Sequence, residues 1–448
     1  MKAYERLLKY VNYPTASDES SETCPSTPEQ FEFGKALVEE MLEMGIKDAN
    51  IDENGYVFGT IPATDTNTTT EAATETAAST DSSIIQTTAH DRITKPSPGN
   101  KPAVIGFIAH MDVSPDAPCQ PMNARVVENY DGGDITLSEG IILSPEEFPA
   151  LEQYKGDDLV VSDGKTLLGC DDKAGIAAIL TMAEYFIQNP QIPHGIIKIG
   201  FTPDEEIGRG ADLFDVKRFG ADYAYTVDGG EFGEVEYETF NASTAIIKIT
   251  GVSIHPGTAK NKMINAANVT MEFASMLPVA ERPEHTEEYE GFYHLISMTG
   301  EVEEATLTYI VRDHNEDILK SRENYIQEVA AFLNKKYRPD TIKTEIKQSY
   351  KNMDIVIKEH WHLIENAVRA VEKLGGKPII KPVRGGTDGS RLSYMGLPCP
   401  NLGTGSHNAH SRKELASAQA MEKVTQSLIE IAKLYVDFQP NPQSTAES

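Results

Sequence analysis

Four times along this chain an apolar run ends on acidic or imidazole side chains: GFIAHMD at 106–112, LLGCDD at 167–172, IIKIGFTPDEE at 196–206 and YTVD at 225–228. Such runs read as buried strands, and buried parallel strands are joined by helices that cover the sheet. Open sheets of this kind gather functional groups on loops at the carboxyl ends of their strands. The pattern therefore predicts an α/β fold whose polar centre is assembled from distant parts of the chain. A Gly/Ser/Asn loop, GTGSHNAHSRKEL at 403–415, adds His407 and His410 ahead of a helix expected over 415–437.

Each run has its own chemistry. His110 and Asp112 stand at i and i+2, on one face of a strand, so Asp112 is placed to accept the second ring N–H of His110. Asp171 and Asp172 are expected at a strand-to-helix junction before the helical pattern AGIAAILTMAEYFI, where two adjacent anions need positive charge beside them. A metal ion supplies it, and so in part does a helix N-terminus. Glu205 and Glu206 follow a β-branched strand and suit one metal ligand beside one unliganded general base. Asp228 precedes two glycines that let the chain turn tightly. Taken singly, each has a plain structural reading: a satisfied histidine at a strand end, a helix cap, a solvated helix start. From spacing alone, either His407 or His410 serves as a ligand. It is the conjunction that points to a hydrolytic centre with two divalent cations, one carboxylate shared between them.

Composition narrows the class. A formal charge of −29 disfavours nucleic acid and anionic membrane surfaces as partners. It also means that most carboxylates are solvated surface rather than ligands. The longest apolar runs are too short for a membrane span, and no charged-then-apolar leader opens the chain, so a soluble cytoplasmic protein is expected. Cys24, Cys119, Cys170 and Cys399 form no close CxxC pair, which argues against a disulfide framework and a thiolate cage.

Helical spacing marks 1–20 and 29–45, and NIDENGYVFGTIPA reads as a strand and hairpin. From Thr64 to Thr88, 13 of 25 residues are Ser or Thr. This segment is too poor in apolar surface to offset its ordering entropy, and a mobile inserted loop is expected over 64–88. Past residue 240 the pattern changes to strand, helix, strand pair, helix, strand, the ferredoxin-like βαββαβ order. The domains expected are thus a catalytic part over 1–240 and 354–448 and an inserted α+β part over 241–353.

The runs LLGCDDKAG, FTPDEE, TVDGG, SIHPGTAK, RGGTDG and MGLPCPNLGTG resemble the peptidase T family, the tripeptide aminopeptidase branch of the co-catalytic zinc exopeptidases. The likeness covers nearly the whole chain, and the 64–88 insert departs from it. The resemblance implies a di-zinc exopeptidase-type domain with a mixed sheet flanked by helices, plus a ferredoxin-like lid. It implies two Zn²⁺ per subunit: His110, Asp171 and Asp228 on one, Asp171, Glu206 and His410 on the other, with Asp171 bridging. Asp112 and Glu205 would be catalytic, Glu205 as the base. His255, Arg312, Arg384, Gly386 and Thr387 would contact a tripeptide, and a homodimer through the lid is implied. An N-acyl amino acid deacylase is the alternative within the same architecture. A non-catalytic metal or peptide binder would require a broken base or ligand, and none of these positions is substituted.

Overall fold

A computed structural model describes residues 1–64, 103–120, 122–436 and 438. Apart from Thr64, the Ser/Thr-rich insert lies outside the described residues. The chain divides into two compact units, Met1–Val235 with His360–Ile380 and Leu392–Ser448, and Glu236–Glu359 with Lys381–Arg391.

The first unit is built on a mixed sheet. Its strands run in the order Asn50–Ile51, Val57–Ile61, Ile197–Thr202, Ile105–His110, Tyr223–Gly229, Asn401–Gly403, Glu234–Glu236, Ile379–Ile380. The 105–110 strand lies parallel to both 197–202 and 223–229, whereas 57–61 runs antiparallel to 197–202. Every residue of Ile105–His110 is buried, as a strand covered on both faces requires. Because the three parallel strands point the same way, His110, Thr202 and Asp228 arrive at one edge of the sheet.

The helix Cys170–Gln188 packs across the 105–110 and 223–229 strands. Gly175 makes this approach possible, since a Cβ there would stand 1.9 Å from the Val227 carbonyl oxygen and 2.5 Å from Asp172 Oδ1. The acids at its start do not follow a strand, contrary to expectation: Leu167 and Leu168 are buried coil, and Gly169 turns the chain at φ 75°. Asp171 and Asp172 keep non-helical dihedrals within the first turn.

A second small sheet orders Ser406–His407, Leu415–Ser417, Leu159–Val161 and Arg125–Val127. The helix expected over 415–437 accordingly begins later, at Ala418–Leu434. Leu415–Ser417 is drawn into strand by pairing with 159–161, and the Ser417 hydroxyl then accepts the Ala420 N–H as an N-cap.

The second unit is an antiparallel sheet in the order Phe292–Gly300, Glu304–Asp313, Asn241–Thr250, Ile342–Tyr350. Helices Ala266–Met276 and Glu316–Lys336 pack on it around a core that includes Ile247, Phe273, Leu307, Val311, Ile326 and Leu333. The strict alternation along Glu304–Asp313 is the period-2 signature of a sheet with one buried face. The order βαββαβ and this strand arrangement are those of a ferredoxin-like fold. The unit also takes in 381–391, which carries Arg384, Gly386 and Thr387. Hydrogen bonds from Val383 N to Glu238 O and from Phe240 N to Gly385 O tie that segment to 238–240.

Candidate metal centre

Strand ends, the start of the helix Cys170–Gln188 and the loop before 415 bring the five expected ligands together in the first unit. His110 Nε2 lies 3.0 Å from Asp171 Oδ1 and 3.3 Å from Asp228 Oδ1. His410 Nε2 lies 2.7 Å from Glu206 Oε2 and 3.7 Å from Asp171 Oδ2. The two oxygens of Asp171 thus face different histidines, each accompanied by its own second carboxylate.

Local structure explains how each side chain is aimed. The His110 Nδ1 is 3.1 Å from the Asp112 carbonyl oxygen and 3.3 Å from Asp112 Oδ1. Against the downward push of burial, Asp228, Asp112 and Asp171 raise the His110 pKa well above the ordinary histidine range, so the ring donates from both nitrogens, and a cation held there would replace the Nε2 proton. Asp112 does a second job: its Oδ1 and Oδ2 accept the backbone N–H groups of Glu205 and Glu206 at 3.0 and 3.1 Å. That turn is reached through Asp204, held at φ 58° with a buried carboxylate that accepts from Ser26 N, the Ser26 hydroxyl and Gln30 Nε2. Asp228 N donates to Asn401 Oδ1 at 3.1 Å, fixing the end of its strand. His410 adopts φ 62°, and its Nδ1 lies 3.0 Å from Asp116 Oδ2. Asp116, absent from the sequence-based set although it ends the HMDVSPD run, therefore orients the ring.

The electrostatics are those of a site short of positive charge. Burial, then Asp171, lifts Glu206 to about 7. Burial raises Asp228 to about 6, with Asp171 adding to it against the pull of His110. For Asp171 burial also pushes upward, but the hydrogen bond and charge of His110, with His410, hold it below the ordinary carboxylate range. His410 is drawn up to about 10, chiefly by its hydrogen bond to Glu206. Glu206 Oε1 is buried with no hydrogen-bond partner among the described residues. Ligand atoms of His110, Asp171 and Glu206 lie within 4.8 Å of one another, as do those of His110, Asp172 and Asp228. Asp172 belongs behind the site: its oxygens accept from His110 N at 3.3 Å and Gly175 N at 3.0 Å, and it is fully buried. This nitrogen and oxygen donor set, with an acid facing two histidines, fits a pair of divalent cations.

His407 lies apart from this cluster, its Nε2 2.6 Å from the Tyr154 hydroxyl. Glu414, which the sequence reading did not single out, is buried, and its Oε2 accepts the Gly169 N–H at 2.6 Å.

The expected substrate contacts belong to the second unit. His255 is exposed, and its Nδ1 accepts the Gly257 N–H at 3.1 Å, which leaves the ring proton on Nε2. Arg312 donates to the Arg384 carbonyl at 3.2 Å, and its Nε is buried with no hydrogen-bond partner among the described residues. The Arg384 guanidinium is already engaged by the carbonyls of Glu288 and Glu290 at 2.7 and 2.8 Å and by Thr286 Oγ1. Gly386 lies against the Tyr350 ring, where a Cβ would meet it at 2.7 Å, and Thr387 Oγ1 is buried with no hydrogen-bond partner among the described residues.

Comparison with known proteins bears directly on this arrangement. Residues 148–434 match the model for peptidase family M20/M25/M40. Peptidase T of Caldanaerobacter subterraneus subsp. tengcongensis is 48% identical over 97% of this chain and 98% of its own length. Peptidase T of Halothermothrix orenii is likewise 48% identical, over 97% and 99%.

The chain belongs to the peptidase T family.

It is therefore a peptidase of the M20 group. Solved structures agree in fold: aminopeptidase PepT from Bacillus cereus superposes with a TM-score of 0.68 at 20% identity, covering 98% of both chains. The YXEP protein of Bacillus subtilis, described as a dinuclear metal-binding peptidase from the M20 family, gives 0.57 at 13% identity over 97% and 99%. Among the described residues no helix is long and apolar enough to cross a membrane.

Proposed function

We propose that this chain is a tripeptide aminopeptidase working with two zinc ions, one held by His110, Asp171 and Asp228 and the other by Asp171, Glu206 and His410. The observation that carries it is the placement of Asp171, with one oxygen toward His110 and the other toward His410. When bound, such a pair lowers the pKa of a coordinated water and polarises a carbonyl oxygen.

The protein's own groups do the rest. Glu205 takes the proton of the attacking water and returns it to the leaving amine. Asp112 supports this by gripping the backbone of Glu205 and Glu206 while facing His110 Nδ1. In this scheme residues 1–240 and 354–448 act as the catalytic domain, and 241–353 as a lid and dimerisation domain. His255, with its proton on Nε2, donates to the developing oxyanion. Arg312, Arg384, Gly386 and Thr387 receive the carboxylate end and backbone of the tripeptide. Arg384 already gives part of its guanidinium to the Glu288 and Glu290 carbonyls and the Thr286 hydroxyl, which leaves its remaining N–H groups for the substrate. The enzyme acts in the cytoplasm as a homodimer.

The test is a cleavage panel on metal-loaded protein. Ala-Ala-Ala should be hydrolysed to Ala and Ala-Ala, with Ala-Ala and N-acetyl-Ala cleaved far more slowly. Preferred hydrolysis of the N-acetyl amino acid would overturn the aminopeptidase reading in favour of a deacylase.

A further inference from the structure

We infer that Glu414 is a positioning residue that couples two of the three ligands of the second cation, Asp171 and His410. This inference rests on the metal arrangement proposed above.

The helix Cys170–Gln188 begins without a side-chain cap of its own, because its N-cap position is Gly169. Gly169 is at φ 75°, and a Cβ would press on Val113 Cγ1 at 3.1 Å, so no capping side chain is accommodated there. Glu414 supplies the missing acceptor from a remote segment. Its side chain is 1% exposed, and Oε2 accepts Gly169 N–H at 2.6 Å. A local capping box does the same with a Glu reaching back to the N-cap N–H. Here the reach crosses 245 residues of sequence.

The consequence falls on both ends of that bond. At one end is the turn immediately before Asp171, whose dihedrals depart from helix, so its direction depends on how Gly169 and Cys170 are held. At the other end is the loop that carries His410 four residues earlier. Cys170 adds a weak second tie, with its Sγ 3.8 Å from the Leu415 carbonyl oxygen. Glu414 Oε1 is buried without a hydrogen-bond partner among the described residues, so the carboxylate is kept in place by the backbone of Gly169 and Leu168, the turn just before Asp171. His110 and Asp228 sit on the 105–110 and 223–229 strands, outside that turn. Removing it should loosen the Asp171–His410 relation while leaving the His110–Asp228 relation standing.

The experiment is a Co²⁺ titration of metal-free full-length protein, followed by d–d absorption and calorimetry, for wild type, Glu414→Ala, Glu414→Asp and Glu414→Gln. Wild type should bind in two steps; failure to do so would overturn the proposed function itself rather than the role of Glu414. Glu414→Ala, and Glu414→Asp, which is one methylene too short, should weaken the step that draws on His410 by about 10- to 100-fold and the other, which shares only Asp171 with it, by a clearly smaller factor. Glu414→Gln keeps an acceptor for the Gly169 N–H and should recover most of the lost affinity. If Glu414→Ala does not fold, Glu414→Asp carries the comparison. Two unchanged steps in a folded variant, or equal weakening of both, would overturn the inference.

Discussion

Asp171 stands where two demands meet. Its carboxylate faces both histidines, at 3.0 Å from His110 Nε2 and 3.7 Å from His410 Nε2, and it is held below the ordinary range while Glu206 and Asp228 are pushed above it. An ionised acid flanked by two reluctant ones is the distribution expected if cations complete the site. Glu205 is separable from this set. Glu205→Gln should cut turnover by about 100- to 10,000-fold while metal content stays near two per chain, measured by elemental analysis; loss of metal would contradict its role as the base. His362 offers a test of the scaffold instead. Its ring stacks on Phe438 at 4.4 Å and meets Tyr223 at 4.6 Å, and burial, then the neighbouring His360, lowers it to about 4. Between its unfolded pKa near 6.5 and about 4 the unfolded chain binds the extra proton, so stability falls as pH drops through that window. His362→Gln should lose less melting temperature than wild type between pH 6.5 and 4.5. Parallel losses in both proteins would contradict this.

Among the elements, one of the closest approaches in the first unit is the one at Gly175. Gly175→Ala forces a methyl group onto the Val227 carbonyl oxygen, one residue before Asp228. The cost should be about 3 kcal/mol or more, read as a lowered denaturant midpoint, with weakened metal binding because the end of the 223–229 strand must shift. An unchanged midpoint would show that the helix simply slides away. The long elements were legible because their periods are strong: the alternation of Glu304–Asp313 and the helical spacing of Glu316–Lys336 gave the βαββαβ order directly. The small sheet was not, because Ser406–His407 and Leu415–Ser417 are too short to show a period and exist through pairing with each other and, for 415–417, with 159–161. Site residues divide along the same line. His110, Asp171, Glu205 and Asp228 announce themselves at the ends of apolar runs. Asp116 and Glu414 act on partners 294 and 245 positions away, and nothing local marks them.

On the scale of the whole molecule, two units and a charge of −29 describe a chain whose acidity is mostly surface, with a few carboxylates confined where water cannot screen them. Cation binding to the folded state alone should then stabilise it. With free zinc at about a hundredfold the dissociation constant, the gain is about 2.7 kcal/mol, and a chelator should lower the melting temperature and abolish peptide hydrolysis together. Restoring zinc should return both; activity that survives exhaustive chelation would count against metal chemistry. The division of labour between the units rests on their residues: every proposed ligand belongs to the first, and every proposed substrate contact to the second. The most direct measurement is anomalous diffraction at the zinc edge from crystals of the zinc-loaded protein. Two peaks are expected, one between Asp171, His110 and Asp228 and the other between Asp171, Glu206 and His410. A single peak, or a pair that does not share Asp171, would contradict the account.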